Sequence, residues 1–434
     1  MTAARVAYLN ARLIDPESGL DQAGALLTEG DRIVALGPEI FPAGPPADAE
    51  VVHCGGRVLC PGLIDMRVFT GEPGAEHKET LATAGQSAAV GGVTTRVVMP
   101  NTDPVIDDVA LVGFMERLGQ RAQVHVHPMA ALTKGLRGEA MCELGLLAEA
   151  GAVGFTDGDR AVTDAGLMRR ALSYASAFGL LVCQFPREPS LSAEAAMNEG
   201  EMATRLGLPG VPPMAETIVV ERDLRLVEIT GGRYHVAALS TARAAAAVAE
   251  AKARDLPVTA AVCLHNMALN ENAVGDYRTF AKTEPPLRAE HDRQAIAQAI
   301  ADGTIDVICS GHDPQDPESK RQPFEVAASG IVGLEALLPL SLELYHNGLL
   351  KLPDLLAKLT CNPARLLGLD AGRLREGAPA DLLVFDLDEP WRLDVEAFRS
   401  KSKNAPYDGR PVQGRAWRTI VNGHQVYDRH REMC

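Results

Sequence analysis

Aromatic residues make up only 4% of this 434-residue chain, although 46% of it is hydrophobic. A large interior must therefore be built from Ala, Val, Leu and Ile, as in an α/β core, and the length is ample to bury one. C-x-x-C spacing is missing. The eight cysteines (54, 60, 142, 183, 263, 309, 361 and 434) are scattered, which excludes a zinc ribbon and argues against a disulfide framework. No run approaches the ~20 apolar residues of a membrane-spanning helix. The opening MTAARVAYLNARLID has no basic stretch followed by an apolar one, so no signal peptide is expected and a cytoplasmic location is. Positive charge is in deficit: the net charge of −15 argues against nucleic acid or an anionic membrane as partner.

What is present falls into two textures. Residues 4–60 alternate short β-like runs with turn signals, and Glu29-Gly30 and Gly55-Gly56 fit hairpin turns. The same texture returns near the end, in ADLLVFDLD and in RTIVNGHQVYD, where Asn422-Gly423 predicts a type I′ turn. A small β-sandwich domain from 1–60 and 366–434 is expected.

Between them, 61–365 alternates apolar strands with Ala-rich helical stretches. Strand candidates are 62–66, 94–100, 124–131, 151–157, 180–185, 233–239, 257–264 and 306–311. Helical candidates include LVGFMERLGQRA, DAGLMRRALSYASAFG, TARAAAAVAEAKARD and DRQAIAQAIADG. Strand–helix units in this number predict a (β/α)8 TIM-type barrel.

Residues 61–74, PGLIDMRVFTGEPG, carry the most information. An apolar run ends at Asp65, and Arg67 and Phe69, two apart, point to the same side of an extended chain. The segment resembles the first barrel strand of the cyclic amidohydrolases, and of dihydroorotase in particular, where the pattern PG(L/I)(I/V)D-x-H-x-H-x-R-E-P-G holds catalytic zinc through its two histidines. MPNTDPVID (99–107), ALTKGLRGE (131–139), MNEGEMATRLGLPGVPPMAE (197–216), QPFEVAASGIVGLEALLPL (322–340) and SKSKNAPYDG (400–409) extend the resemblance over nearly the whole chain.

The resemblance implies a hydrolase in which one or two metal ions deliver hydroxide to a ring amide and an aspartate moves the proton. Matched position by position, most of that machinery is replaced. The paired histidines are Arg67 and Phe69; the histidine of QH-x-E-D-P-S-L is Phe185; that of H-x-x-H-x-S-T-A is Ala238; the catalytic aspartate of DHAPH is Gly311. The bridging carboxylate of the GAVAF(S/T)D subgroup matches Asp157, so one of six positions is intact. An arginine offers no lone pair and a phenyl ring has none.

Substrate positions change too. The arginine that grips the substrate carboxylate is Gly71, the asparagine of (V/N)-N-P-P-L-R is Glu284, and the last histidine of DHAPH is Gln315, whereas Asn101 and His312 match. The charge of Glu284 is expected to repel an anionic substrate. Asp157 is expected to pair with Arg67, a charge standing in for the metal. Cys183 and Cys309, on barrel strands with no base partner evident, read as packed thiols.

Relocated ligands are the competing possibility: His125 and His127 on the third strand, or Asp157 with His265 and His312, near Asp313. The resemblance thus implies an inactive dihydroorotase-like pseudoenzyme of pyrimidine biosynthesis, needing no cofactor. It would act as structural partner of the aspartate carbamoyltransferase catalytic chain, as a homodimer. The alternatives are an active metal-dependent cyclic amidohydrolase, with zinc on relocated ligands, and a non-catalytic small-molecule sensor.

Overall fold

A computed structural model describes residues 4–193 and 195–432; Cys434 lies outside them. The alternating runs near the start form β1 (Arg5–Asp15), β2 (Leu20–Glu29), β3 (Arg32–Gly37), β4 (Glu50–His53) and β5 (Val58–Pro61). Leu13, Leu26, Ile33 and Leu59 from these strands are buried together with Tyr8 and, from the C-terminal part of the chain, Leu382. Gly30 takes a positive φ between β2 and β3, which pair antiparallel, as the hairpin expectation requires. The second expected hairpin is not one. Both β4 and β5 pair parallel to β1, through Val6–Leu9 and then Arg12–Leu13. Gly55 and Gly56, both at positive φ, step the chain along one edge of β1, and Gly56 N–H donates to Asn10 O. No turn signal distinguishes the two arrangements, because the partner is β1, over 40 residues upstream, where Ala7 pairs Val51.

The barrel begins with β6 (Leu63–Val68) and β7 (Val93–Val98), buried at every position, as parallel strands covered on both faces are. Then come β8 (His125–Pro128) and β9 (Leu181–Gln184), the short pair β10 (Met197–Asn198) and β11 (Gly210–Val211), and β12 (Arg233–Val236), β13 (Val258–Cys263) and β14 (Val307–Cys309). The order is cyclic. β6 pairs β7, β7 pairs β8, and Phe155 alone bridges Ala130 and Val182 as the fourth stave. β9, β12, β13 and β14 follow in parallel. A bridge from Val68 to His312 closes the ring, with Phe69 N–H donating to His312 O. The expected (β/α)8 barrel is the structure's central feature.

Outer helices start at side-chain caps: Thr80 for Leu81–Val90, Asp108 for Val109–Gly119, Asp164 for Ala165–Ala177 and Thr241 for Ala242–Ala253. The 17-residue helix Met214–Thr230 was not among the helical candidates. Its inward face buries Glu216 and Asp223, which breaks the apolar stripe. Glu216 accepts from the backbone of Ser240 and Thr241 and faces Arg288, and Asp223 accepts from Tyr234 Oη.

After the barrel the chain returns through β15 (Leu382–Arg392), β16 (Pro411–Val421) and β17 (His424–Asp428). These join the first strands in one sheet, β17-β16-β15-β5-β1-β2-β3. Asn422 and Gly423 both take positive φ between β16 and β17, as a type I′ turn demands. Leu383 from this sheet packs so close to Gly92 that a Cβ there would meet it at 2.8 Å. No described helix is long and apolar enough to cross a membrane.

Candidate functional site

The strand ends converge on a cavity of about 390 Å3 lined by Arg67, Phe69, Asn101, His265, Glu284 and Asp313 among others. Arg67, next to last in β6, is 4% exposed. Its guanidinium lies between two ring faces, 5.0 Å from the centre of Phe69 and 5.1 Å from that of Phe185. Nη1 donates to Gly158 O at 3.2 Å. Phe185 is buried with Ala238 and Cys263 in a small apolar cluster behind it. Ring faces attract a cation through their quadrupole, which partly offsets its desolvation.

The expected Arg67–Asp157 ion pair does not form. Asp157 turns away and accepts from the backbone N–H and hydroxyl of Thr133. Burial pushes its carboxyl above the ordinary value, against the pull of those hydrogen bonds. The carboxylate kept from the family pattern thus ties the third and fourth strand loops together, while the neighbouring carbonyl takes the arginine.

Gly71 and Gly311 do more than lack a side chain. A Cβ at Gly71 would lie 2.0 Å from Ala75 O, so the backbone has closed over the place of the family's arginine. Gly311 sits at φ +60°, and a Cβ there would come 3.0 Å from both Cys263 Cβ and His265 Cε1. Glu284 does not present an unpaired charge, contrary to the expectation: Arg187 holds it at 2.7 Å.

The relocated histidine sets are not assembled. His125 faces Asp381 of the terminal sheet at 3.0 Å. His127 is pushed down to about 4 by burial and by His125. His312 is fully buried and faces Glu79 at 3.5 Å. Burial raises Glu79, but hydrogen bonding and charge from His312, with the Ser400 and Thr83 hydroxyls, outweigh it and hold the carboxyl at about 2. His235 donates or accepts at Thr259 Oγ1, 2.8 Å away, and burial pushes it down to about 3. His265 has no partner on either ring nitrogen and is likewise pushed to about 3 by burial, then by Arg67.

Among the described residues no three His, Cys, Asp or Glu side chains are grouped so as to hold a metal ion. The donor set at the family's positions, a guanidinium and two phenyl rings, does not fit a zinc ion. Cys183, Cys263 and Cys309 are buried, and burial pushes Cys183 to about 12 and Cys263 to about 11, so they are packed thiols.

Motif matching overlooked Arg187, Glu79 and Lys78. Arg187 stands where QH-x-E-D-P-S-L has glutamate, and Glu284 stands where the family has asparagine. Two changes of opposite sign at distant motif positions were the readable signal of the ion pair. Lys78 donates to Gln315 Oε1 at 2.9 Å, across the mouth from the eighth strand loop.

A closed parallel barrel with its charged cavity at the strand ends and a β-rich domain beside it defines an amidohydrolase-type protein. Solved structures agree in fold: an L-hydantoinase (dihydropyrimidinase) from Arthrobacter aurescens matches with TM-score 0.87 at 24% identity, over 99% of this chain and 96% of that one. A dihydropyrimidinase from Brevibacillus agri NCHU1002 matches with TM-score 0.85 at 20% identity, over 98% and 95%. A dihydro-orotase-like family model matches residues 56–244 and an amidohydrolase family model residues 282–426. Relatives named dihydroorotase include that of Anaplasma phagocytophilum (strain HZ), 45% identical over 97% of this chain and 95% of its own. That of Geobacter sp. (strain M21) is 43% identical over 96% and 97%. The chain belongs to the dihydroorotase family.

Proposed function

We propose that this chain serves pyrimidine biosynthesis without turning over dihydroorotate, as structural partner of the aspartate carbamoyltransferase catalytic chain, to which it contributes a homodimer. One observation carries the non-catalytic half of this reading: the Arg67 guanidinium fills the slot between Phe69 and Phe185, at the positions where the family's histidines hold metal. A permanent cation there repels a metal dication and cannot ligate it. The partner half rests on the resemblance to inactive dihydroorotase-like chains that assemble with the transcarbamoylase.

A second reading has its own support. Relatives 43–45% identical over nearly the whole chain carry the name dihydroorotase, and those names favour a working metal-dependent hydrolase over a pseudoenzyme. Elemental analysis after chelator-free purification, with a dihydroorotate hydrolysis assay on the same sample, separates the two. Background hydrolysis and substoichiometric zinc support the first reading. About one zinc per chain with turnover that survives removal of host enzyme overturns it.

A further inference from the structure

We propose that the cavity at the barrel mouth binds a small monocarboxylate, its two oxygens held by the Nε–Nη2 edge of Arg67. Arg67 donates from Nη1 to Gly158 O, and its side chain also reaches the Cys263 thiol. The Nε–Nη2 edge has the fork geometry that matches a carboxylate, and Arg67 lines the cavity together with Phe69, Cys263 and His265. A buried cation is stable only when compensated, and ring faces do this less completely than an anion does.

His265 supplies an independent sign. It is 2% exposed and lines the same cavity, and neither ring nitrogen has a partner. Buried orphaned polar groups are rare in native proteins and mark a missing ligand or water. The charges around the cavity select the ligand. Arg67, Lys78 and Arg187 face Asp159, Glu284 and Asp313, and the Arg187–Glu284 pair cancels internally. The near balance admits a monoanion better than a dianion such as phosphate. The remaining acids favour hydrogen-bond donors on the ligand's far end, as in the ammonium of a small amino acid. This anion position is the former metal position. It is not the place of the family's substrate-carboxylate arginine, which Gly71 has closed.

The inference rests on the metal-free reading of the site, and the two fail separately. Zinc-dependent hydrolysis would overturn that reading, whereas an inactive, metal-free chain that binds no carboxylate would overturn this inference alone. Calorimetric titration of the full chain uses β-alanine, acetate and inorganic phosphate as probes, at constant ionic strength set with chloride. Saturable one-site binding is expected for β-alanine and more weakly for acetate. Arg67→Met should weaken it at least about tenfold, the loss of one charge-assisted contact. Should that variant not fold, Arg67→Lys keeps the charge and loses the fork, and should also bind more weakly. Absence of carboxylate binding, binding unchanged in Arg67→Lys, or phosphate bound as tightly as β-alanine overturns the proposal.

Discussion

The guanidinium carbon of Arg67 stands 5.1 Å from the centre of the Phe185 ring, with Phe69 at 5.0 Å on another side. These residues come from the first and fifth barrel strands, and each stands where the resemblance implies a metal-binding histidine. The replacements are therefore one packed unit. A cation too large and too basic to ligate is held by two rings that cannot ligate either, and Phe185 in turn fills against Ala238, a further former ligand position.

Phe185→Ala tests that unit. Phe185 is 1% exposed, so its truncation should cost about 3–5 kcal/mol in urea unfolding. A double-mutant cycle with Arg67→Met should show a coupling of about 1 kcal/mol. Additive costs would mean that the ring face contributes nothing to holding the guanidinium.

Restoring ligands one strand at a time should fail. Arg67→His with Phe69→His leaves Phe185, Ala238 and Gly311 as they are, and dihydroorotate hydrolysis should stay at background. Adding Gly311→Asp should also lower stability by about 1–2 kcal/mol, because φ is +60° there and a Cβ residue is strained in that region. Denaturant midpoints read the strain and a coupled assay reads the turnover. Hydrolysis above background in the double variant would show that the remaining positions are dispensable.

The barrel was legible because parallel strands buried on both faces leave apolar runs such as VTAAVC, and because caps such as Thr241 and Asp164 precede their helices. The helix Met214–Thr230 was not, since its core face carries Glu216 and Asp223, whose partners lie on other elements. At the site, motif positions told which ligands were gone. They did not tell what Arg67 would touch, because Phe185 is 118 positions away in chain numbering and meets it only once the barrel closes. Asp157 misled for a related reason: Thr133 satisfies it at close range, so it has no need of the arginine.

Stability should peak in mildly acidic solution. Glu79 is held at about 2, below its ordinary 4.5. A depressed carboxyl stabilises the fold above the unfolded value, and this is lost as pH falls from about 4.5 toward 2, an effect of about 3 kcal/mol. Asp65 and Glu335 act in the opposite sense. Burial pushes them up to about 6 and about 7, against the hydrogen bonds they accept. Their raised values favour the fold at low pH, and that contribution is lost as pH rises from about 4 through 6–7. Melting temperatures across pH 2–8 should therefore fall at both ends. Glu335→Gln should flatten the loss above pH 5 while leaving the acid limb in place. A variant whose alkaline limb is unchanged would remove Glu335 from this account.

On the proposed non-catalytic reading the fold needs another use, and that proposal gives it the transcarbamoylase as partner. Co-expression with the aspartate carbamoyltransferase catalytic chain of the same organism should give one large species on a sizing column, with equal numbers of the two chains in closed symmetry. The interface of such a complex should bury roughly 1,200–2,000 Å2 or more. Apolar side chains available on the barrel's outer layer include Phe178, which caps the helix Ala165–Ala177 and is 58% exposed, and Ile229 on the helix Met214–Thr230, 65% exposed. Outward-facing apolar groups of this kind are what an interface core uses, whereas singly they need no explanation. Charged substitutions at these two positions, tested separately, should show which barrel face takes part: the variant on the interface loses co-elution while keeping the wild-type melting temperature. Full assembly and activity of the transcarbamoylase without this chain, and no co-elution at micromolar concentration, would rule the structural role out. The proposed carboxylate site would then be the reading left to test.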